Sequence, residues 1–260
     1  MTRIPAVARM LAVTWWLQLK MLSASAFNGI LQIVWPLFFA TTAFLVYRQN
    51  GDPTSLVYAG LGSAVMGLWS AIATTASSAL QRERWSGTLE LLVAAPISFA
   101  LVLVPITVAM TTIGVYSLGA TLLWGWLLFG IVVPVASRVL FVVSLVVSIL
   151  AVAMFGFLLS VTVVRYRTAW ALGNMLEYPG WLLCGFLLPV SLFPTWVTWA
   201  SWALPPTWGM EAMRQTSAGE SPWFALAVCV LLGLGYATVA SLLTAVVLRS
   251  ARRHATLALT

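Results

Sequence analysis

The chain carries very little charge. Of its 260 residues only 7% are Asp, Glu, Lys or Arg, whereas 62% are hydrophobic, and the mean hydropathy is +1.00. A water-soluble domain usually carries about 25% charged residues, so the composition excludes a soluble core and indicates that the bilayer is the solvent. The net charge of +7 does not imply nucleic acid, because the basic residues stand at the ends of apolar runs and no basic stretch has interleaved aromatic residues.

Residues that commonly carry chemistry are also scarce. The two cysteines, Cys184 and Cys229, lie in apolar runs and predict buried small side chains, while the single histidine, His254, lies in a basic tail. No Cys/His cluster has zinc spacing. The sequence has no GxxxxGK[ST] phosphate loop, no HExxH and no Ser/His/Asp set. It therefore predicts a chain that is not an enzyme, holds no metal or cofactor, and has no motif for hydrolysing ATP.

Long apolar intervals separate the few charges. A spanning helix needs about 20 apolar residues, and the absence of period-two alternation argues against barrel strands. We predict an all-α integral membrane protein that forms one transmembrane domain over residues 1–260. Its six predicted spans lie near 27–47, 55–80, 98–123, 139–163, 169–190 and 222–248.

The number of spans depends on the interval 91–137, which is long enough for two crossings. With six spans and a cytoplasmic N-terminus, ten basic residues face the cytoplasm and three face outward. This asymmetry has the sense that the positive-inside rule requires, and a seventh span would move five of the ten outside. We therefore predict six spans with both termini in the cytoplasm.

Two further segments lie outside the spans. Residues 4–22 combine Lys20 with paired tryptophans and predict an amphipathic helix in the cytoplasmic interface; an extension of the first span is the alternative. Residues 191–214 are interrupted by prolines yet rich in tryptophan, which favours short re-entrant helices in the outer leaflet over a simple aromatic belt. The residues assigned to this region, including two that lie just before it, are Gly185, Pro189, Pro194 and Pro205.

The segment 81–96 is a polar island between two apolar spans, with four of the chain's charges in nine residues. The second helix is expected to continue through Arg84, and Gly87 permits a bend. A short helix could begin at Thr88 and end at Pro96. Such a helix, lying across the cytoplasmic mouth, is shaped to dock on a soluble partner. An ordinary charged loop that only sets the topology is the alternative.

The sequence of this segment resembles the signature motif of a known family. Residues 83–92, ERWSGTLELL, followed by Ala-Pro-Ile-Ser at 95–98, resemble the signature of type-2 ABC exporter permeases. That family includes daunorubicin-type drug-resistance permeases and polysaccharide exporters. The Gly-x-x-x-Pro at 185–189 also resembles a family element, although Leu204-Pro205 replaces the family's usual Asn-Pro. With the six-span layout, the resemblance covers essentially the whole chain.

The resemblance implies the membrane permease subunit of an ATP-driven exporter. Such a subunit pairs with a second permease copy, identical or different, and with two ABC ATPase subunits that bind the ATP and Mg. The implied substrate is amphipathic and drug-like, and it leaves the cytoplasm or inner leaflet by alternating access. The residues that would couple the permease to the ATPase are Glu83, Arg84, Gly87, Thr88, Leu89, Glu90 and Pro96.

The expected surroundings are membrane lipids, and the expected location is a bacterial cell membrane, with no nucleic-acid partner. Two other functions stay open at this point. The same class of permease could export a lipid or a lipid-linked polysaccharide. An ATP-independent channel or secondary transporter is less favoured, because it would need polar residues in several spans or discontinuous helices at repeated positions.

Glu177 is the clearest acidic residue inside a predicted span, roughly 15 Å into the membrane from Arg167 at 1.5 Å per residue. Inserting a carboxylate there costs about 2.5–3.5 kcal/mol, so it should face protein or water. Asn174 lies on the same helical face. The two residues, with Asn28 and Gln32 in the first span, are candidates for the permeation path or a permease interface. Structural packing is the alternative for all four.

Overall fold

The computed structural model describes residues 3–23, 26–49, 53–87, 100–165 and 170–254. Within these ranges the regular structure is helical throughout, which confirms the predicted all-α class. The elements are α1 (Arg3–Ser23), α2 (Ala26–Arg48), α3 (Pro53–Trp85), α4 (Ala100–Phe129), α5 (Arg138–Arg165), α6 (Trp170–Leu183), a 3-10 turn (Val190–Leu192), α7 (Thr195–Trp202), α8 (Pro205–Ala218) and α9 (Trp223–His254).

Within the described residues, four helices contain stretches that are long and apolar enough to cross a bilayer. These stretches are Ser55–Ala73, Leu103–Phe129, Arg138–Thr162 and Trp223–Val246. They belong to α3, α4, α5 and α9 and correspond to the predicted second, third, fourth and sixth spans. The predicted first span coincides with α2. The total of six spans stays a prediction.

The fifth predicted span, 169–190, differs from the structure at its C-terminal end, because α6 stops at Leu183. Gly185 has φ of 71°, a left-handed conformation that glycine adopts without steric penalty and that commonly closes a helix. The Phe186 N–H donates to the Trp181 carbonyl at 3.1 Å and completes the closure. α6 therefore has 14 residues, about 21 Å at 1.5 Å per residue, and residues 184–190 form a separate turn.

The third predicted span, 98–123, also differs, because α4 continues to Phe129. Its end is set by Gly130, which has φ of 65° and whose N–H donates to the Trp126 carbonyl at 3.1 Å. Both displaced ends are thus marked by a glycine in the left-handed region. Hydropathy alone cannot find such an end, because the residues on both sides are apolar.

α3 is the central helix of the fold. It contacts α2, α4, α5, α6 and α8, and 83% of the stretch Ser55–Ala73 is buried. Its Trp69 stacks on Phe155 of α5 with ring centroids 5.1 Å apart. A Cβ added at Gly180 of α6 would lie 2.5 Å from the Trp69 ring. Glycine therefore allows α6 to approach α3 closely, as small residues do between membrane helices.

The helices at the periphery keep apolar side chains exposed. α9 contacts α5 and α8, and only 22% of its stretch Trp223–Val246 is buried. Exposed large apolar residues on α5 and α9 include Val139, Val142, Val146, Leu150, Leu231, Leu234, Leu242 and Val246. Apolar surface of this extent suits lipid tails, which replace water as the solvent of a membrane protein.

α1 agrees in its bounds with the predicted helix at 4–22. It lies against α4, where the Trp15 indole N–H donates to the Thr112 hydroxyl at 3.2 Å. Trp16 and Leu17 remain exposed. The contact with α4 is a tertiary feature that the amphipathic pattern did not predict, and the interfacial location of α1 stays a prediction.

Candidate functional site

The predicted coupling segment begins where the structure ends α3. Glu83 and Arg84 lie in the last turn of this helix, which ends at Trp85. Gly87 follows in an exposed turn with φ of 69°. This glycine therefore has the left-handed conformation that a bend would use. The other residues assigned to coupling, Thr88, Leu89, Glu90 and Pro96, lie outside the described residues.

The reason for glycine at this turn is conformational. A Cβ added to Gly87 would meet nothing within 4 Å, so space does not restrict the position. A positive φ does, because L-residues with a side chain rarely adopt it. Trp85 beside the turn is 72% exposed and lies between Arg84 and Ser86, inside the polar island.

The opposite end of α3 meets a turn of three backbone carbonyls at residues 185–187. The Tyr58 hydroxyl of α3 donates to the Gly185 carbonyl at 3.1 Å. The Tyr47 hydroxyl of α2 donates to the Leu187 carbonyl. These carbonyls follow the end of α6 and have no intrahelical donors of their own. The two tyrosines therefore tie the end of α6 to α2 and α3.

Arg214 of α8 completes this arrangement. Its guanidinium carbon lies 3.3 Å from the centroid of the Tyr58 ring, and Nη2 donates to the Phe186 carbonyl at 3.2 Å. Burial lowers the pKa of Arg214 to about 10, against the opposing effect of Tyr58, so the side chain stays charged at neutral pH. A cation at a helix C-terminus is favourable because the exposed carbonyls carry partial negative charge. We name Tyr47, Tyr58, Arg214 and the carbonyls of 185–187 the outer polar cluster, after the side of the membrane on which the predicted topology places it.

The region predicted as re-entrant helices is segmented at its prolines. Pro189 precedes the 3-10 turn, Pro194 precedes α7, and Pro205 is the first residue of α8. Proline suits the first helical position because it has no N–H to leave unpaired. Trp196 and Trp199 of α7 are 75% and 67% exposed. The entry of α7 and α8 into the outer leaflet stays a prediction.

Glu177 points into the protein. It is 8% exposed, and the Ser70 hydroxyl of α3 donates to its carboxylate. The Trp181 indole N–H donates in turn to the Ser70 oxygen at 3.1 Å. The Trp181 ring also contacts Phe39 of α2, with centroids 4.9 Å apart. The carboxylate was expected to face protein or water, and its burial places it against protein. Its neighbour, the Ser70 hydroxyl, was not identified from the sequence.

For the other candidate residues of the permeation path, the structure gives only the helix in which each lies. Asn174 lies in α6 and Asn28 and Gln32 lie in α2, but their side chains are outside the described part of the structure. Cys184 and Cys229 are both free and buried, as predicted. Among the described residues, no group of three His, Cys, Asp or Glu side chains is close enough to hold a metal ion.

The fold and these contacts define an α-helical, multi-pass membrane protein with a polar turn at one end of its central helix. The model of the ABC-2 type transporter family matches residues 9–218, which include both the segment 81–96 and the region 191–214. The chain belongs to the ABC-2 type transporter family. It is therefore a permease subunit of an ABC-type transporter, a class whose members generally work with an ABC ATPase. No curated protein matched the chain.

Proposed function

We propose that this permease exports an amphipathic, drug-like compound from the cytoplasm or the inner leaflet, driven by ATP hydrolysis in separate ATPase subunits. The observation that carries the proposal is the family match across the polar segment 81–96. The exposed turn at Gly87, which leads out of the central helix, supports it. In this assignment the ATP and Mg belong to the ATPase, and residues 83–96 receive the mechanical work.

The geometry of α3 supports transmission of that movement along this helix. The helix has 33 residues, which is about 50 Å at 1.5 Å per residue. One end leads to the Gly87 turn, and Tyr58 near the other end belongs to the outer polar cluster. A continuous helix moves as a rigid element, so displacement of its cytoplasmic end would alter its contacts with α6 and α8. Alternating access is the expected consequence.

The proposed assembly contains two permease copies and two ATPase subunits in a bacterial cell membrane, with both permease termini in the cytoplasm. The positive-inside asymmetry of the sequence supports this orientation. Exposed apolar side chains on α2 and α6, including Phe38 and Met175, support a second chain beside these helices. Membrane lipids would cover the remaining apolar surface.

The test is transport in proteoliposomes that contain the permease and its co-purified ATPase. Replacing Glu90 or Glu83 by Ala should lower transport per ATP hydrolysed, because a carboxylate at the docking segment would be lost. Glu220→Ala is the matched control, since Glu220 is exposed on the predicted external side. Robust transport by the purified chain without any ATPase would contradict the proposal.

We further propose that Glu177 contributes its charge to the permeation path or the permease interface. Glu177→Gln keeps the size of the side chain and can still accept a hydrogen bond from Ser70, so folding should be retained. Transport should fall while the assembly elutes unchanged in size-exclusion chromatography. Unchanged transport would instead leave Glu177 as a structural partner of Ser70.

A further inference from the structure

A cavity of about 410 Å³ lies among α3, the 3-10 turn, α7 and α8. Its lining combines apolar side chains with two opposite charges of α8, Glu211 and Arg214. Small-molecule sites usually have volumes of about 300–1,000 Å³, mostly apolar walls and a few polar groups. The cavity has this size and composition. In the predicted topology it lies on the external side of the membrane.

The two charges of the cavity stand side by side without closing on each other. Glu211 and Arg214 are three residues apart, which places them on one face of α8, and the Glu211 charge favours the cationic form of Arg214. In the described part of the chain their hydrogen bonds go to other groups. Arg214 Nη2 donates to the Phe186 carbonyl at 3.2 Å, and Glu211 Oε1 accepts from Gln215 Nε2 at 3.1 Å. The wall therefore presents a cation and an anion together.

Two polar atoms beside these charges are buried without a hydrogen-bond partner among the described residues. One is the donor Arg214 Nε, and the other is the acceptor Gln215 Oε1. Both residues line the cavity. A buried donor or acceptor that stays unpaired costs about 1–3 kcal/mol, and more when it is charged. Buried polar groups normally have a partner, so a ligand of this cavity should bring an acceptor for Arg214 and a donor for Gln215.

A phosphoethanolamine group supplies both functions. Its phosphate oxygens are charged acceptors, which suit an arginine donor. Its ammonium carries three N–H donors, like that of a lysine side chain, which suit the Glu211 carboxylate and Gln215 Oε1. A purely anionic ligand would be repelled by Glu211, and a purely cationic one by Arg214. A zwitterion avoids both penalties.

Exposed apolar side chains around the cavity favour a lipid as the source of this group. Leu188 and Leu192 are exposed and flank the lining residues 189–191. Trp202 lines the cavity and packs edge-on against Trp199, and both rings are largely exposed. Tryptophan is typical of the headgroup level of a membrane. Acyl chains would cover this surface while the headgroup enters the cavity.

We propose that the cavity binds the headgroup of phosphatidylethanolamine from the surrounding membrane, with the phosphate at Arg214 and the ammonium between Glu211 and Gln215. The lipid is a resident ligand and not the transported compound. The inference therefore goes beyond the proposed function, and its binding can be measured without an ATPase.

The test is thermal unfolding of the purified, delipidated chain in detergent. The chain is titrated with phosphatidylethanolamine, phosphatidylcholine or phosphatidylglycerol of identical acyl chains. Phosphatidylethanolamine should raise the Tm at the lowest concentration, because phosphatidylcholine has no ammonium N–H and phosphatidylglycerol has no ammonium. Equal stabilisation by all three lipids, as expected for a cavity that holds only water, would overturn the proposal.

Free phosphoethanolamine distinguishes a lipid from a soluble source of the same group. It should need a concentration at least about tenfold higher for the same rise in Tm, because it has no acyl chains to bury. Equal potency of free phosphoethanolamine would overturn the assignment to a lipid.

Glu211→Gln separates the loss of a charge from a loss of folding. It should raise the apparent Kd for phosphatidylethanolamine about tenfold, as expected for the loss of a charge-assisted contact. Binding of phosphatidylglycerol should be unchanged or tighter, because a repulsive charge is removed. The matched control is Glu220→Gln, which should keep both wild-type values, since Glu220 is exposed outside the cavity lining. Equal weakening of both lipids by Glu211→Gln would contradict the pairing with the ammonium.

Gln215→Leu keeps the test valid if Glu211→Gln folds poorly, because it leaves both charges in place. It should weaken phosphatidylethanolamine severalfold and leave phosphatidylcholine unchanged, since only the former can donate to the lost oxygen. An unchanged preference for phosphatidylethanolamine would contradict the assigned orientation of the headgroup.

Discussion

Replacing Gly62 by Ala should destabilise the protein, because α3 passes the end of α6 with no room for a side chain at this position. An added Cβ would lie 1.7 Å from the Phe186 carbonyl oxygen and 2.7 Å from its carbonyl carbon. Carbon and oxygen approach to about 3.3–3.6 Å even in favourable C–H···O contacts. The clashing atoms belong to the backbone and cannot rotate away, so the turn at 185–187 must move away from α3.

The expected penalty has two parts. Overpacking a close contact typically costs about 1–3 kcal/mol. Moving the turn also weakens the hydrogen bond from Arg214 to the Phe186 carbonyl, and a hydrogen bond to a charged group contributes about 1.5–3 kcal/mol. The sum is roughly 2.5–6 kcal/mol, which corresponds to a fall in Tm on the order of 10 °C for a chain of this length.

The assay is thermal unfolding of the detergent-solubilised chain, followed by fluorescence-detected size-exclusion chromatography. Gly119→Ala is the matched control, because Gly119 lies within helix α4 and an added Cβ there would meet nothing within 4 Å. This control should melt at or slightly above the wild-type temperature, since alanine is the better helix former. A Gly62→Ala protein that melts with the control would refute the close approach of α3 to residues 185–187.

Three further outcomes are expected. Gly87→Ala should destabilise the left-handed turn by about 1–2 kcal/mol and lower the substrate-stimulated ATPase activity of the assembled transporter. Gly87→Asn should lower this activity less. Equal ATPase activities in the two variants would argue against a role for the turn. Arg214→Lys should lower stability by about 1–3 kcal/mol in the same melting assay, because lysine lacks the planar group that stacks on the tyrosine ring; an unchanged Tm would contradict this. Cys184 and Cys229, being buried, should resist maleimide until the chain is denatured, as read by mass spectrometry; rapid labelling of the folded chain would contradict their burial.

The outer polar cluster shows what sequence reasoning could not reach. Tyr47 and Tyr58 lie on successive helices, whereas Arg214 lies far from both in the chain, and each alone fits an ordinary aromatic-belt or topological role. Their shared partner is a set of backbone carbonyls. Every residue has such a group, so the sequence does not indicate which carbonyls accept these contacts. Only the packing of α2, α3 and α8 around the end of α6 brings them together.

Glu177 shows, at a single residue, what the sequence could predict and what only the structure could supply. Its depth in an apolar run already required that the carboxylate face protein or water, because lipid would not solvate it. The identity of its partner depends on which face of α3 meets α6. The structure supplies Ser70, whose hydroxyl is one of many in the spans and could not be selected by spacing.

The sequence by itself determined the membrane class, the helical class and the position of the polar segment 81–96. These depend on composition and on the order of residues along the chain, since the bilayer requires closed backbone hydrogen bonding and long apolar runs. Tertiary structure decided the early end of α6 at Gly185, the central place of α3, the outer polar cluster and the cavity beside Glu211. These depend on contacts between helices distant in sequence, where backbone conformation and close approach determine which side chains can meet.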